Sequence, residues 1–155
     1  MKFINLRDDF SIAEQLAQIC HQQWGIDKQT YLDSFNMCYK GKGIIPQWYM
    51  VTTDNGEFMA CCGVIDNDFH QRKDLSPNIV ALLVDKKHRH KGVARKLINY
   101  VLDDLASMRI NDVWLITGHH HFYEKLGFNY CGYVTEDDGG RIRMYHRSTK
   151  VTHFR

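Results

Sequence analysis

Ile79-Val80-Ala81-Leu82-Leu83-Val84 is an unbroken apolar run, followed at once by a basic turn containing Gly92. After the turn, Val93, Leu97, Val101 and Leu105 recur four residues apart. A strand that is apolar at every position expects cover on both faces, as at the centre of a layered α/β sheet. The four-residue spacing marks the buried stripe of a long helix. A further apolar run, Val113 to Ile116, follows. Strand, helix, strand in that order predicts a right-handed crossover joining two parallel strands.

The remaining elements fit around this unit. Ser11 and Glu14 have capping-box spacing, and Ile12, Leu16 and Ile19 recur helically, so Ser11 to Trp24 reads as a helix stopped by Gly25. Asp27 caps a second helix through Tyr31, Phe35 and Cys38, closed by Gly41 and Gly43. Trp48 to Thr53 and Phe58 to Ile65 flank Asp54-Asn55-Gly56, a tight-turn signal, and form an antiparallel hairpin. Asp66 to Pro77 is polar and loop-like. Phe122 to Leu126 reads as a short helix ended by Gly127. Phe128 to Val134 and Ile142 to His146 are closing strands around the turn Asp137-Asp138-Gly139-Gly140. The expectation is one α/β domain over residues 1–155, a mixed central β-sheet flanked by helices on both faces.

The turn Arg89-His90-Lys91-Gly92-Val93-Ala94 is where chemistry is expected. A helix start leaves backbone N–H groups unpaired, and the helix dipole makes the same place positive. Together these form an anion site. Gly92 allows a phosphate to approach the backbone, and Arg89 and Lys91 can add charge-assisted bonds. A solvated basic helix start is the competing reading of the same residues.

Val84-Asp85-Lys86-Lys87-His88-Arg89-His90-Lys91-Gly92-Val93-Ala94-Arg95-Lys96-Leu97 resembles the cofactor motif of the GNAT family of N-acetyltransferases. That motif is Arg or Gln, two residues, Gly, one residue, then Gly or Ala, matched here by Arg89, Gly92 and Ala94. Phe122-Tyr123-Glu124-Lys125-Leu126-Gly127-Phe128 is similar to the family's second familiar stretch. The resemblance implies an acetyl-CoA-dependent N-acetyltransferase acting by direct transfer to a primary amine, with acetyl-CoA as co-substrate. It assigns cofactor binding to Leu82, Leu83, Val84, Arg89, His90, Lys91, Gly92, Val93, Ala94 and Arg95. The Leu82 to Val84 backbone would pair with the pantetheine arm, and the backbone N–H near Leu83 would serve as an oxyanion contact. Tyr123 would be the general acid that protonates the departing thiolate. An ordinary phenol, with a pKa of about 10, keeps its proton at neutral pH. The connection Thr117-Gly118-His119-His120-His121 is shorter than in many members and lacks their Asn. It looks more like members that act on small amines. The resemblance leaves a homodimer open.

The base that deprotonates the acceptor is not named by the sequence. Asp66, Asp68 and His70 follow the third strand, and His119 and His120 precede the tyrosine. The acids Asp66, Asp68 and Asp74 favour a cationic small molecule. His119-His120-His121 has no carboxylate or thiol at ligand spacing, so no metal is expected. Cys61 and Cys62 are adjacent in a strand and face opposite ways. Trp24 and Trp48 are candidates for pocket or core.

A formal charge of +2 is too weak to argue for nucleic acid or an anionic membrane, and neither partner is expected. Lys86 to Lys96 is a short basic stretch, and Asp103 and Asp104 follow it. Five cysteines without a C-x-x-C pair point to reduced, mostly buried thiols in a cytoplasmic protein. A non-catalytic acyl-CoA sensor and a nucleic-acid-binding protein are the two competing functions. Tyr123 speaks against the first, and the shortness of the basic stretch against the second.

Overall fold

Backbone pairing in the computed structural model, which describes residues 1–41 and 43–150, gives a seven-stranded mixed sheet in the order β1-β2-β3-β4-β5-β7-β6. The strands are β1 (Lys2–Asn5), β2 (Gln47–Thr52), β3 (Phe58–Ile65), β4 (Asn78–Val84), β5 (Asp112–Thr117), β6 (Asn129–Thr135) and β7 (Arg141–Ser148). The helices are α1 (Ala13–Trp24), α2 (Lys28–Lys40) and α3 (Val93–Ser107). β4 and β5 are parallel, with Asn78 opposite Trp114, as the strand-helix-strand pattern predicts. The β2–β3 and β6–β7 hairpins are antiparallel.

The chain divides into two compact units, Met1–Val64 with Ala81–Leu97, and Ile65–Val80 with the chain from Ile98 onward. The division falls within β4 and within α3. In the first unit, α2 lays Tyr31 and Phe35 edge-on to Trp48 of β2, at 6.1 and 5.0 Å between ring centroids. Trp48 is therefore core, and its Nε1–H donates to Ser34 Oγ at 2.9 Å, so the indole is satisfied when buried. Trp24 is exposed. In the second unit, β7 pairs with both β5 and β6 and buries Met144 and Tyr145.

Three local expectations change. Lys2–Asn5 is a strand pairing with β2, although only four residues long with weak alternation in the sequence. Ser11 does not cap α1. Asp9 caps a preceding 3₁₀ turn, Phe10–Ile12, and accepts from both the N–H and the hydroxyl of Ser11. The short helix around Tyr123 contracts to a 3₁₀ turn, Glu124–Leu126. Among the described residues, no helix is long and apolar enough to cross a membrane.

Gly63 on β3 sits under the Trp48 ring, where an added Cβ would come within 2.5 Å of it. Gly63→Ala should therefore destabilise the protein by about 1–3 kcal/mol, the ordinary cost of overpacking. Gly118→Ala, with nothing within 4 Å of its Cβ, should be close to neutral. Urea denaturation of the two variants checks this; equal midpoints would refute it.

Candidate functional site

β4 changes character along its length. Asn78 and Ile79 are buried, whereas Val80 to Val84 are only half-buried despite being apolar throughout. The expectation of cover on both faces therefore fails for its second half. Ala81 has φ 54°, a left-handed value that costs an L-residue roughly 1–2 kcal/mol and breaks the regular pleat. Beneath it the Cys61 thiol reaches the Ala81 carbonyl at 3.4 Å. The contact with Cys20, and then burial, hold the Cys61 thiol well above the usual range. Burial likewise keeps Cys62 protonated, so neither thiol is a nucleophile at neutral pH.

The turn after β4 is built by short-range bonds. The Asp85 N–H donates to the Met59 carbonyl at 2.8 Å, which fixes the strand end. Its carboxylate caps a 3₁₀ turn, Lys86–His88, by accepting from the Lys87 N–H. Arg89 folds back, and its Nε–H donates to the Val84 carbonyl at 2.9 Å. His90 and Gly92 both take left-handed backbone, φ 61° and 77°. Such residues swing successive N–H groups toward one concavity, the geometry of an anion nest. α3 then begins at Val93, and Lys96 N–H closes its first bond on the Gly92 carbonyl at 3.1 Å. The N–H groups of its first turn have no intrahelical partner.

The side chains here divide by role. Val93 is 2% exposed and docks the helix start in the core. Ala94 is half-buried, and Arg89, His90, Lys91, Gly92 and Arg95 are exposed. A Cβ on Gly92 would meet nothing within 4 Å, so the space before the helix is open. Converging N–H groups, open space and three exposed cations are the donor set that a pyrophosphate requires. Lys87 is engaged elsewhere. It pairs with Glu57, which no spacing in the sequence singles out, and holds that carboxyl below its usual range. His88 Nε2 lies 3.8 Å from the same carboxylate, too far to bond, and is buried without a hydrogen-bond partner.

The sequence-named cofactor residues Leu82 to Val84 and Arg89 to Arg95 all lie in the first unit. Tyr123 lies in the second. It is half-buried, edge-on to Phe122 at 4.9 Å and to Phe128 at 5.8 Å, and 6.1 Å from Tyr145. Its carbonyl accepts from the Leu126 and Phe128 N–H groups, both at 3.0 Å. Tyr145 donates to Glu124 at 3.2 Å beside it. His119 and His120 are exposed.

His70 proves to be structural. It is fully buried; its Nε2–H donates to Asn78 Oδ1 at 2.6 Å and its Nδ1 accepts from the Arg72 N–H at 3.2 Å. That assignment leaves neither nitrogen for a substrate proton. Asn78 Oδ1 also accepts from the Asp68 N–H at 2.9 Å, so one buried amide ties the loop to β4. Asp66 is exposed and accepts from the Ser76 hydroxyl at 2.7 Å.

Asp68 differs from both. With Phe69, Ile116, Glu136, Asp137 and Asp138 it lines a cavity of about 420 Å³ within the second unit. Burial, with like-charged Glu136 nearby and His70 opposing, pushes the Asp68 carboxyl up to about 6. The sequence marked Asp137 and Asp138 only as a turn, and nothing in the spacing joined them to Asp68.

A raised carboxyl has a stability consequence. The folded state holds the Asp68 proton more tightly than the unfolded chain, so stability falls as pH rises from about 3.8 through about 6. The loss above pH 6 is on the order of 3 kcal/mol. Asp68→Asn should raise the melting temperature at pH 7.5, and the gain should shrink as pH drops through that window. A gain independent of pH would contradict it.

Comparison with known proteins bears on the family and the fold. A family model described as "Acetyltransferase (GNAT) domain" matches residues 46–130, more than half of the chain. No curated protein sequence matches the chain. Among solved structures, an aminoglycoside 6'-N-acetyltransferase complexed with coenzyme A superposes with TM-score 0.70 at 16% identity, covering 99% of this chain and 100% of that one. A GNAT-family acetyltransferase from Staphylococcus aureus Mu50 gives 0.69 at 19% identity, with 96% and 100% covered. A mutant spermidine N-acetyltransferase from Vibrio cholerae gives 0.68 at 14% identity, with 96% and 95% covered. At these identities the superpositions establish the fold.

Proposed function

We propose, from the premise that this chain belongs to the GNAT acetyltransferase family, that it moves the acetyl group of acetyl-CoA directly onto a primary amine of a small molecule. Membership makes it an acetyl-CoA-dependent N-acetyltransferase, with acetyl-CoA as co-substrate. The observation that carries the fuller reading is the start of α3, where left-handed His90 and Gly92 leave open space against unpaired N–H groups.

Acetyl-CoA supplies an acyl group already activated as a thioester. The chain's own residues have three tasks. The N–H groups of Gly92, Val93, Ala94 and Arg95, with the Arg89, Lys91 and Arg95 side chains, hold the pyrophosphate. The half-buried backbone of Leu82 to Val84 receives the pantetheine arm, and the Leu83 N–H polarises the thioester carbonyl. The Tyr123 hydroxyl delivers its proton to the departing sulfur. The Tyr123 role rests on the family motif around it, and its aromatic packing against Phe122 and Phe128 supports a fixed ring. Acceptor and cofactor are bound together, so no covalent acyl-enzyme is needed. That agrees with the protonated, inert state of Cys61 and Cys62. The five cysteines carry free thiols, the state that a reducing compartment maintains, and we place the enzyme in the cytoplasm.

Thermal unfolding with and without acetyl-CoA tests the binding half. A ligand at a hundredfold excess over its Kd adds about 2.7 kcal/mol. The wild type should show a saturable rise in melting temperature, and an Arg89→Ala, Gly92→Glu double variant should lose it. Retention in the variant would displace the cofactor from this turn. Tyr123→Phe tests the chemical half. Acetyl-CoA affinity should stay within about twofold while kcat falls by about a hundredfold, within the usual range for a lost general acid. An unchanged kcat would remove Tyr123 from the mechanism.

A further inference from the structure

The cavity around Asp68 has the size of a small-molecule site, within the range of roughly 300–1,000 Å³. Its walls are held by the protein's own backbone. The Gln71 N–H donates to the Thr135 carbonyl at 2.9 Å and the Asp137 N–H to the Phe69 carbonyl at 2.8 Å, around the bridge between His70 and Glu136. Phe69 is 64% exposed, with φ 61°, and offers an aromatic edge that the core does not use. Ile116 adds an apolar wall.

The charges select the ligand class. Four of the six lining residues are acids, which disfavours an anion. A neutral apolar ligand would desolvate Asp68 further without compensation. The acids also do not form a metal cage, since the described residues contain no group of three ligands able to hold an ion. The molecule itself shows what the rim accepts. The Lys73 ammonium lies 3.5 Å from Asp137 and 3.1 Å from Asn67 Oδ1. Among the described residues, Asp68 and Glu136 have no such cation within ion-pair distance.

We infer that this cavity binds a small amine carrying two or more positive charges, with ammonium groups on Asp68 and Glu136 and the connecting carbon chain against Phe69 and Ile116. The inference goes beyond the acetyltransferase reading, because residues of the second unit alone line this cavity. The binding itself stands apart from that reading. An ammonium beside Asp68 restores the stabilisation that burial removes from its carboxylate. Two cationic groups match two unpaired acids, and a methylene chain matches the apolar walls.

Isothermal titration calorimetry with spermidine as a triamine probe, and n-butylamine as the monoamine control, tests this on the full chain without cofactor. Spermidine should bind saturably, and at least tenfold more tightly than n-butylamine. Asp68→Asn and Glu136→Gln should each weaken it at least tenfold, while Asp103→Asn, exposed on α3, should not. Wild-type affinity should rise as pH is raised through about 6, as Asp68 ionises under the influence of His70 and Glu136, with Lys73, Asp137 and Asp138 on the rim. In Asp68→Asn that rise should flatten. Asp68→Asn is expected to be the more stable protein at neutral pH, so misfolding would not mimic the loss. Absence of spermidine binding, or binding unchanged in both variants, overturns the inference. Spermidine binding with no response to acetyl-CoA would overturn the acetyltransferase reading and leave this site standing.

Discussion

The docking of the first turn of α3 is the constraint on which the turn from Arg89 to Ala94 depends. Val93 and Leu97 are at most 2% exposed, so the helix start cannot rotate without withdrawing apolar surface from the core. Each such side chain contributes about 1.5–3 kcal/mol by burial. With that end fixed, the direction of the unpaired N–H groups is fixed too. The turn before it must then reverse within a few residues, and left-handed backbone at His90 and Gly92 achieves this. The cost of a non-glycine residue in that region is offset by the anchored elements on either side. These are Asp85 bound to Met59, Arg89 bound to Val84, and α3 in its socket.

In the second unit a buried amide plays the equivalent part. Asn78 at the start of β4 accepts from His70 and from the Asp68 backbone, and donates to the Leu75 carbonyl at 2.8 Å. Buried polar groups are tolerated only when bonded, and here the bonds join both ends of a long loop. The consequence reaches the chemistry. His70, which carries the most familiar catalytic side chain in the loop, is consumed by structure. Asp68, two residues earlier, is left facing a cavity with its carboxyl poorly solvated. Buried structural and cavity-lining positions are thus divided between two residues of one loop by one hydrogen-bond network.

Charge on the turn is divided in a similar way. Lys86 to Lys96 looks in sequence like one basic stretch, yet its members do different things. Lys87 is held by Glu57, Arg89 braces a strand end through its Nε–H, and Lys91 and Arg95 remain exposed. The exposed pair Lys87 and Glu57 adds little stability. It ties the 3₁₀ turn to the β2–β3 hairpin and takes Lys87 out of the free positive charge of the turn. A count of basic residues therefore overstates the positive surface available to a long polyanion.

The sequence by itself determined the features that are written locally. Apolar runs and four-residue spacing gave β4, α3 and β5. Asp54-Asn55-Gly56 gave the hairpin, and Gly92 marked the turn that opens α3. These were legible because backbone propensity and hydrophobic period act within one element or across one short turn. β1 was not, because four residues carry too little period, and its partner β2 lies far along the chain. The opening of β4 past Ile79 was hidden too, since a left-handed Ala81 leaves no mark in an apolar run. Only the tertiary structure decided that β7 stands between β5 and β6, that His70 is buried and Asp68 is not paired, and that Glu136 to Asp138 share a cavity with Asp68. The physical reason is common to all of these. Desolvation, register and cavity shape depend on which distant segments pack together, and no local spacing encodes that.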